Sequence, residues 1–420
     1  MQAHRLIRRT FSLAGTLLIA AGVAAVPVAS AQATVRPGPA GVLAGTGVLN
    51  DVVTISPTDA WAVGRSDNLA NPRTIIEHWN GTAWHRVMVS PALGWLNSVA
   101  ATSAHDVWVV GFSSSKQLIL HFDGTRWRRV ANPAVGSPSA ILASVAAISP
   151  RNAWAVGGTS NKALIEHWNG TSWTQVASPS PGEASELSGV AATSAGNAWA
   201  VGEYFNGSTD VTLIEHWNGT SWKHVPSPNP GGINTLNSVA ATSAANAWAV
   251  GFDYNGTTNR TLIEHWNGGS WKQVPSPNAG GSAAPNDLQG VAAISAGNAW
   301  AVGEGANGPA FQTLIEHWNG TSWKRVPSPN PGGSAHQNTL KGVTATSASN
   351  AWAVGLYFNG LTIQTLLEHW NGTSWKQVPS PVPGGPNVLE GVAATSASNA
   401  WAVGGSFIGT AEQTLALHCC

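Results

Sequence analysis

The repeats of this chain predict an all-β protein, an eight-bladed β-propeller of four-stranded blades closed by an N-terminal strand that completes the last blade. Three observations carry that expectation. A motif of the form S-x-x-[N/D]-[A/V]-W-x-V-G occurs eight times, with its tryptophans at Trp61, Trp108, Trp154, Trp199, Trp248, Trp300, Trp352 and Trp401. A second motif, H-[W/F]-[N/D]-G-x-x-W, occurs seven times between them and ends in Trp84, Trp127, Trp173, Trp222, Trp271, Trp323 and Trp375. The eighth unit stops at Cys419-Cys420 without completing that second motif. Copies spaced 45 to 52 residues apart fit four-stranded blades rather than helical repeats.

Residues 1–33 read as an export signal. Arg5, Arg8 and Arg9 precede the apolar run LAGTLLIAAGVAAVPVA, and small residues at 29–33 offer an A-x-A cleavage site. The stretch RRTF resembles a twin-arginine signal. The run is short and ends at Pro27, which favours secretion over stable membrane insertion. Residues 34–420 then form a single propeller domain, expected to be monomeric and extracellular. Losing the three signal arginines leaves 17 basic against 20 acidic residues, with only 10% of the chain charged and no basic stripe. A nucleic-acid partner would need clustered Lys and Arg, so that class is excluded. With Cys419 and Cys420 as the only cysteines, no disulfide framework exists.

Each unit divides into strands a to d, taken here from the fourth. LSGVAATS (187–194) is a strand of small residues suited to the crowded axis, and AWAVG (198–202) is strand b. TLIEHW (212–217) is strand c, and an Asn-Gly turn of expected type I′ leads into SWKHVP, strand d. Alternation puts Trp199 and Val201 on one face, which the next blade must cover. The eighth unit, LEGVAATS, AWAVG, QTLALH, has no strand d. TVRPGPAG (34–41) echoes the segment after strand d elsewhere, and it is expected to supply the missing outer strand and remove the open sheet edge. Seven blades with an orphan partial sheet is the alternative.

The order L-x-x-V…A-W-x-V-G…H-W-N-G-T-S-W resembles the bacterial Asp-box (BNR-type) propellers, including photosystem II assembly factor-like and sialidase-like repeats. The likeness spans residues 34–420. It departs from the Asp-box in that Asn usually replaces Asp and Gly follows at once; only Asp123 keeps the acid. The resemblance implies the fold and says little about activity.

The Glu-His pairs, such as Glu77-His78, Glu215-His216 and Glu368-His369, recur too often to form one catalytic centre, and adjacent strand residues face opposite ways. Each His is expected to hydrogen-bond within its blade, near a Trp and a Ser or Thr. The Asn or Asp that opens strand b, Asn197 among them, is expected to accept a backbone N–H in the a–b turn. Function should lie where units differ. The b–c and d–a connections share one face and vary. There stand Tyr204, Phe205, Asp210, Asp253, Tyr254, Arg260, Tyr357 and Phe358, read as exposed rings and polar groups for an extracellular glycan or a cell-surface protein. A second set, Asp51, Lys341 and Glu390, intrudes at the start of strand a in consecutive units near the channel mouth, beside Asn50, Asn97, Asn237 and Gln289. These three are the weak catalytic candidates for the alternative of a glycan-acting enzyme; a Lys341–Glu390 ion pair between blades is the plainer reading. A sialidase mechanism fits poorly, because no arginine lies on a strand a. No cofactor or metal is expected, since His418-Cys419-Cys420 are consecutive and cannot converge on one ion; a chain-end feature or an intermolecular disulfide fits them better. A protein-interaction scaffold is the third class.

Overall fold

A computed structural model describes residues 41–66, 72–89, 93–133, 135–281, 283–380, 384–409 and 411–419. Residues 1–40, which include the expected export signal at 1–33, and Cys420 lie outside them. The described residues form eight four-stranded antiparallel sheets and no helix. Blade 4 is representative, with strands Ala184–Ser194, Asn197–Phe205, Asp210–Trp217 and Trp222–His224. Strand b is buried on both faces: Ala198, Trp199, Ala200 and Val201 are inaccessible. Trp199 and Val201 pack on Leu236, Leu262 and Trp271 of blade 5, while Ala198 and Ala200 join Leu187 and Leu213 against blade 3.

The bond between blades is aromatic. Trp199 stacks on His216 of its own blade at 4.1 Å, and meets Trp266 at 4.8 Å and Trp271 at 5.1 Å in the next. The same arrangement joins blade 8 to blade 1, where Trp401 lies 4.7 Å from Trp79 and 4.8 Å from Trp84. Tilted and edge-on contacts of this kind add to the area they bury. His216 Nε2 donates to Asn197 Oδ1 at 2.8 Å, and Asn197 Nδ2 donates to Thr193 Oγ1 at 2.7 Å. The histidine therefore serves the scaffold, as its copy number implied. The expectation for Asn197 needs correction: its oxygen takes the histidine, and Ser194 Oγ accepts the turn N–H from Gly196 at 3.3 Å. The c–d turn also differs from type I′. Only Gly219 has positive φ, and Asn218 Oδ1 closes the turn by accepting the Thr220 and Ser221 amides at 3.0 Å. Two consecutive positive φ values occur at Ser114 and Ser115, in the two-residue b–c hairpin of blade 2.

Closure runs through the N-terminus: the described part of the closing strand is Gly41–Thr46, and the rest of the expected segment, residues 34–40, lies outside the described residues. The strand pairs with strand c of blade 8, Gly41 opposite Ala416 and Val42 opposite Leu415. The reason is covalent reach. Only Gly47, whose amide bonds Glu412 O at 2.9 Å, separates this strand from strand a of blade 1, so the residues immediately before it must form the edge. In blade 8 Leu417 occupies the Glu position opposite Ala402, and Cys419 occupies the Trp position opposite Ala400. Cys419 is buried and its Sγ donates to Ala400 O at 3.5 Å, which removes it as an intermolecular disulfide partner.

Two devices protect the outer edge of blades 4 and 6. Strand d is only three residues long in blade 4, so the edge of strand c extends beyond it. The Ser-Pro-Asn segment that follows folds back: Thr212 N donates to Asn229 Oδ1 at 2.8 Å and Thr212 Oγ1 pairs with Ser227 Oγ at 2.6 Å. Asn330 and Ser328 repeat this on Thr313 in blade 6. Facing away from its histidine, Glu215 is buried between blades and accepts from Ser178 Oγ of blade 3 at 2.6 Å. Burial pushes its carboxyl up to about 7, with the Ser178 hydroxyl pulling the other way.

Two outcomes follow from this scaffold. His216→Ala should cost about 1–3 kcal/mol in urea unfolding, through the lost hydrogen bond and stacking on Trp199. Glu215 favours its protonated form when folded, so its contribution to stability is whole below the ordinary value of 4.5, drains as pH rises, and is gone above about 7. Glu215→Gln should therefore match the parent protein near pH 4.5 and exceed it at pH 8 by roughly 1–3 kcal/mol. Equal melting curves at pH 8 would contradict the burial of a titrating carboxyl.

Candidate functional site

Strand a of every blade carries a bulge just after its leucine, between Leu187 and Gly189 in blade 4 and at the matching place in the others. A bulge adds a residue and re-aims the side chains around it. Here it turns the two residues after the leucine toward the neighbouring innermost strand. Asn50 Nδ2 donates to Leu96 O at 2.7 Å, Asn97 Nδ2 to Leu142 O at 2.8 Å and Asn237 Nδ2 to Leu288 O at 2.8 Å. One residue later, Asp51 Oδ2 accepts Val99 N at 2.9 Å, Ser98 Oγ accepts Val145 N and Ser144 Oγ accepts Val190 N, both at 3.4 Å. Side chains of one blade thus occupy the inward backbone groups of the next. Gly189, Gly290, Gly342 and Gly391 bring no such side chain.

The resulting cavity, of about 290 Å³, gathers Asn50, Asp51, Asn237, Gln289, Lys341 and Glu390 at the mouth of the channel. All three charged candidates therefore share one site. Lys341 Nζ donates to both Glu390 oxygens, at 2.6 and 2.7 Å, with 23% and 21% of the two side chains exposed. Asp51 is committed: Oδ1 accepts Val52 N at 2.9 Å while Oδ2 takes Val99. Burial pushes its carboxyl up to about 6 against those amides and Ser98. The pair and the clamp both do mechanical work between blades, and neither carboxylate stands free as an acid or base.

The loop candidates divide. Tyr204 and Tyr357 are half-buried against the core, Tyr204 edge-on to His224 at 5.9 Å. Phe358 meets His336 at 5.3 Å, and Phe205 is half-buried opposite Asp210 at the end of its ladder. Tyr254 is half-buried, with its hydroxyl donating to Gly256 O in its own hairpin at 3.0 Å. The expected platform of exposed rings is thus corrected. Strand alternation carries Tyr204 to the face of Ala198 and Ala200, where blade 3 covers it. The large apolar side chains that do stand out include Leu361, 90% exposed at the tip of the blade 7 hairpin. Asp253 is buried and ion-paired with Arg260 directly across the ladder, Nη2 at 2.5 Å and Nε at 3.0 Å. That pair borders a second cavity of about 240 Å³ with Gln273, Ser276 and Asn278. The last three lie in repeated segments, so variation between units gave no signal for them. Among the described residues no group of three His, Cys, Asp or Glu side chains converges to hold a metal ion.

No protein-family model and no curated protein matches the chain. Solved structures match its architecture. Sqt1 of Chaetomium thermophilum superposes with a TM-score of 0.60 at 9% identity, over 88% of this chain and 95% of that one. YCF48 of Cyanidioschyzon merolae superposes at 0.50 with 17% identity, over 80% and 98%. A YCF48 bound to a D1 peptide gives 0.48 at 14%, over 91% and 95%. The first two likenesses establish a β-propeller and reach no further at such identities.

The inter-blade girdle can be tested at its gaps. A Cβ at Gly189 would lie 3.6 Å from Val239 N, an ordinary contact, so Gly189→Ser should supply the bond Ser144 makes to Val190 and stabilise by about 0.5–1 kcal/mol. At Gly391 the same atom would lie 3.0 Å from Asp51 Cα and 3.1 Å from Asn50 O, so Gly391→Ser should lose about 1–2 kcal/mol. Urea midpoints that move in the same direction for both would refute this account of the wall.

Proposed function

We propose that the protein is an exported, non-enzymatic interaction module that holds a polypeptide partner across the face formed by its b–c and d–a connections. The observation that carries this reading is how the polar groups are spent. Each strand c histidine is taken by the Asn or Asp opening strand b, Asp51 by two backbone amides and Glu390 by Lys341. What is left on the variable face is a mouth of amide and charged groups without an aromatic platform. Such a surface suits the mixed donors and acceptors of a polypeptide. A propeller of this fold, Sqt1, is seen bound to the N-terminus of the ribosomal protein L10, so the architecture is capable of this use; at 9% identity that partner itself does not transfer.

A glycan ligand is the second reading, favoured by one observation. Asp253, Arg260, Gln273 and Asn278 surround a single cavity beside the Tyr254 hairpin, a set able to share hydrogen bonds with vicinal hydroxyls. Site-specific photo-crosslinking separates the readings. A crosslinker at Leu361, on the variable face, should capture exported polypeptide of the producing cells, and one at Thr220, on the invariant turn face, should not. Capture at both positions or neither, together with oligosaccharide binding lost in Asp253→Ala, would replace the polypeptide reading with the glycan one. Turnover of a glycan abolished by Glu390→Gln would overturn both.

A further inference from the structure

Resting on the polypeptide reading above, we infer that the channel mouth receives a cationic group of the partner, a guanidinium or ammonium, with Glu390 as its anchor and Lys341 as the internal group it displaces. Three features of the mouth support this. First, its amides are oriented. Asn50 and Asn237 spend their N–H donors on the leucine carbonyls of the next blade, at 2.7 and 2.8 Å. Their oxygens remain to accept, and Ser144 and Ser188 line the same cavity. Second, the carboxyl groups outnumber the cations. Glu390 and Asp51 line the cavity with Lys341 as its one basic side chain, and Glu304 of blade 6, bonded to Thr339 Oγ1, also feels the Lys341 charge. Third, the structure already holds a model of the bound state. The Lys341 ammonium sits on both oxygens of Glu390, the geometry an incoming cation would adopt, yet both side chains keep about a fifth of their surface in solvent.

Guanidinium is the better fit of the two cations. It carries five donors in a planar fork, and the mouth offers the Glu390 carboxylate and the amide oxygens of Asn50 and Asn237. A 290 Å³ space admits the end of one long side chain and excludes a folded segment.

Lys341 then sets the affinity by competition. Binding must break the Lys341–Glu390 contact, and removing the lysine removes that cost along with a like charge beside the ligand. This gives a test with opposite signs at two neighbouring residues. The probe is acetyl-Gly-Gly-Arg-Gly-Gly-amide, titrated into the full chain by calorimetry, with the Glu and Gln versions of the same peptide as controls. Lys341→Met should tighten binding of the arginine peptide by about threefold to tenfold, and Glu390→Gln should weaken it by at least about tenfold. The Glu peptide should bind less tightly than the Gln peptide to every variant. An anion site would reverse all three signs, and no detectable binding to Lys341→Met at about 1 mM peptide would also overturn the proposal. Lys341→Met/Glu390→Gln, which leaves no unpaired charge, guards against a folding defect: it should melt like the parent and bind the arginine peptide no better than Glu390→Gln. If it binds like Lys341→Met, Glu390 is not the anchor. The two readings fail separately. Crosslinking at Leu361 that persists unchanged in Glu390→Gln would remove the cation site and leave the polypeptide surface standing.

Discussion

Everything in this molecule hangs on an indole that belongs to one sheet and is enclosed by the next. A single four-stranded sheet has two apolar faces and no means of covering them. The strand b tryptophan solves this by pointing out of its blade, backed by its own histidine and met by two tryptophans of the neighbour. The histidine cannot drift, because an Asn held by Thr193 fixes its ring. Burial, stacking and a short polar relay therefore reinforce one another at the joint between blades 4 and 5. The indole N–H of Trp199 has no partner, a cost tolerated where the packing is this tight.

The opposite face of strand c solves a different problem by a riskier means. Carboxyl groups at Glu166, Glu215, Glu264, Glu316 and Glu368 are buried between blades, and burial raises every one of them. An isolated buried carboxylate would be far too costly, so these groups are held neutral or lean on a hydroxyl such as Ser178. Burial lowers the paired histidines in the same blades, which works in the other direction as pH falls. The scaffold is thus tuned from both sides of neutrality by residues that sit next to each other in sequence.

Repeat arithmetic made the blades legible, because spacing and strand alternation are local properties that one unit repeats for the next. The closing strand was harder. Likeness pointed to residues 34–41, and the single-residue link at Gly47 sets the described part of the strand, Gly41–Thr46. The loop aromatics misled because their composition spoke louder than their parity. Counting alternate residues from Ala198 would have placed Tyr204 on a covered face. The bulge in strand a left no composition signal beyond its glycines, and the cavity it opens needed coordinates. Asp51, Lys341 and Glu390 were readable as intruders in a repeat, but whether they met or merely neighboured one another was a matter of geometry.

The girdle of side chains around the channel has a consequence for how such a chain can change its length. A stack of repeats that ends in caps accepts another unit with little disturbance, since each repeat touches only its neighbours. Here the innermost strands are stapled in a circle, Asn50 to Leu96, Asn97 to Leu142 and Thr54 back to Ala393 of blade 8. A ninth unit would widen the circle and draw these side chains away from their carbonyls at each joint that carries one. Repeat number in this molecule is therefore constrained by the short reach of the side chains that cross between innermost strands.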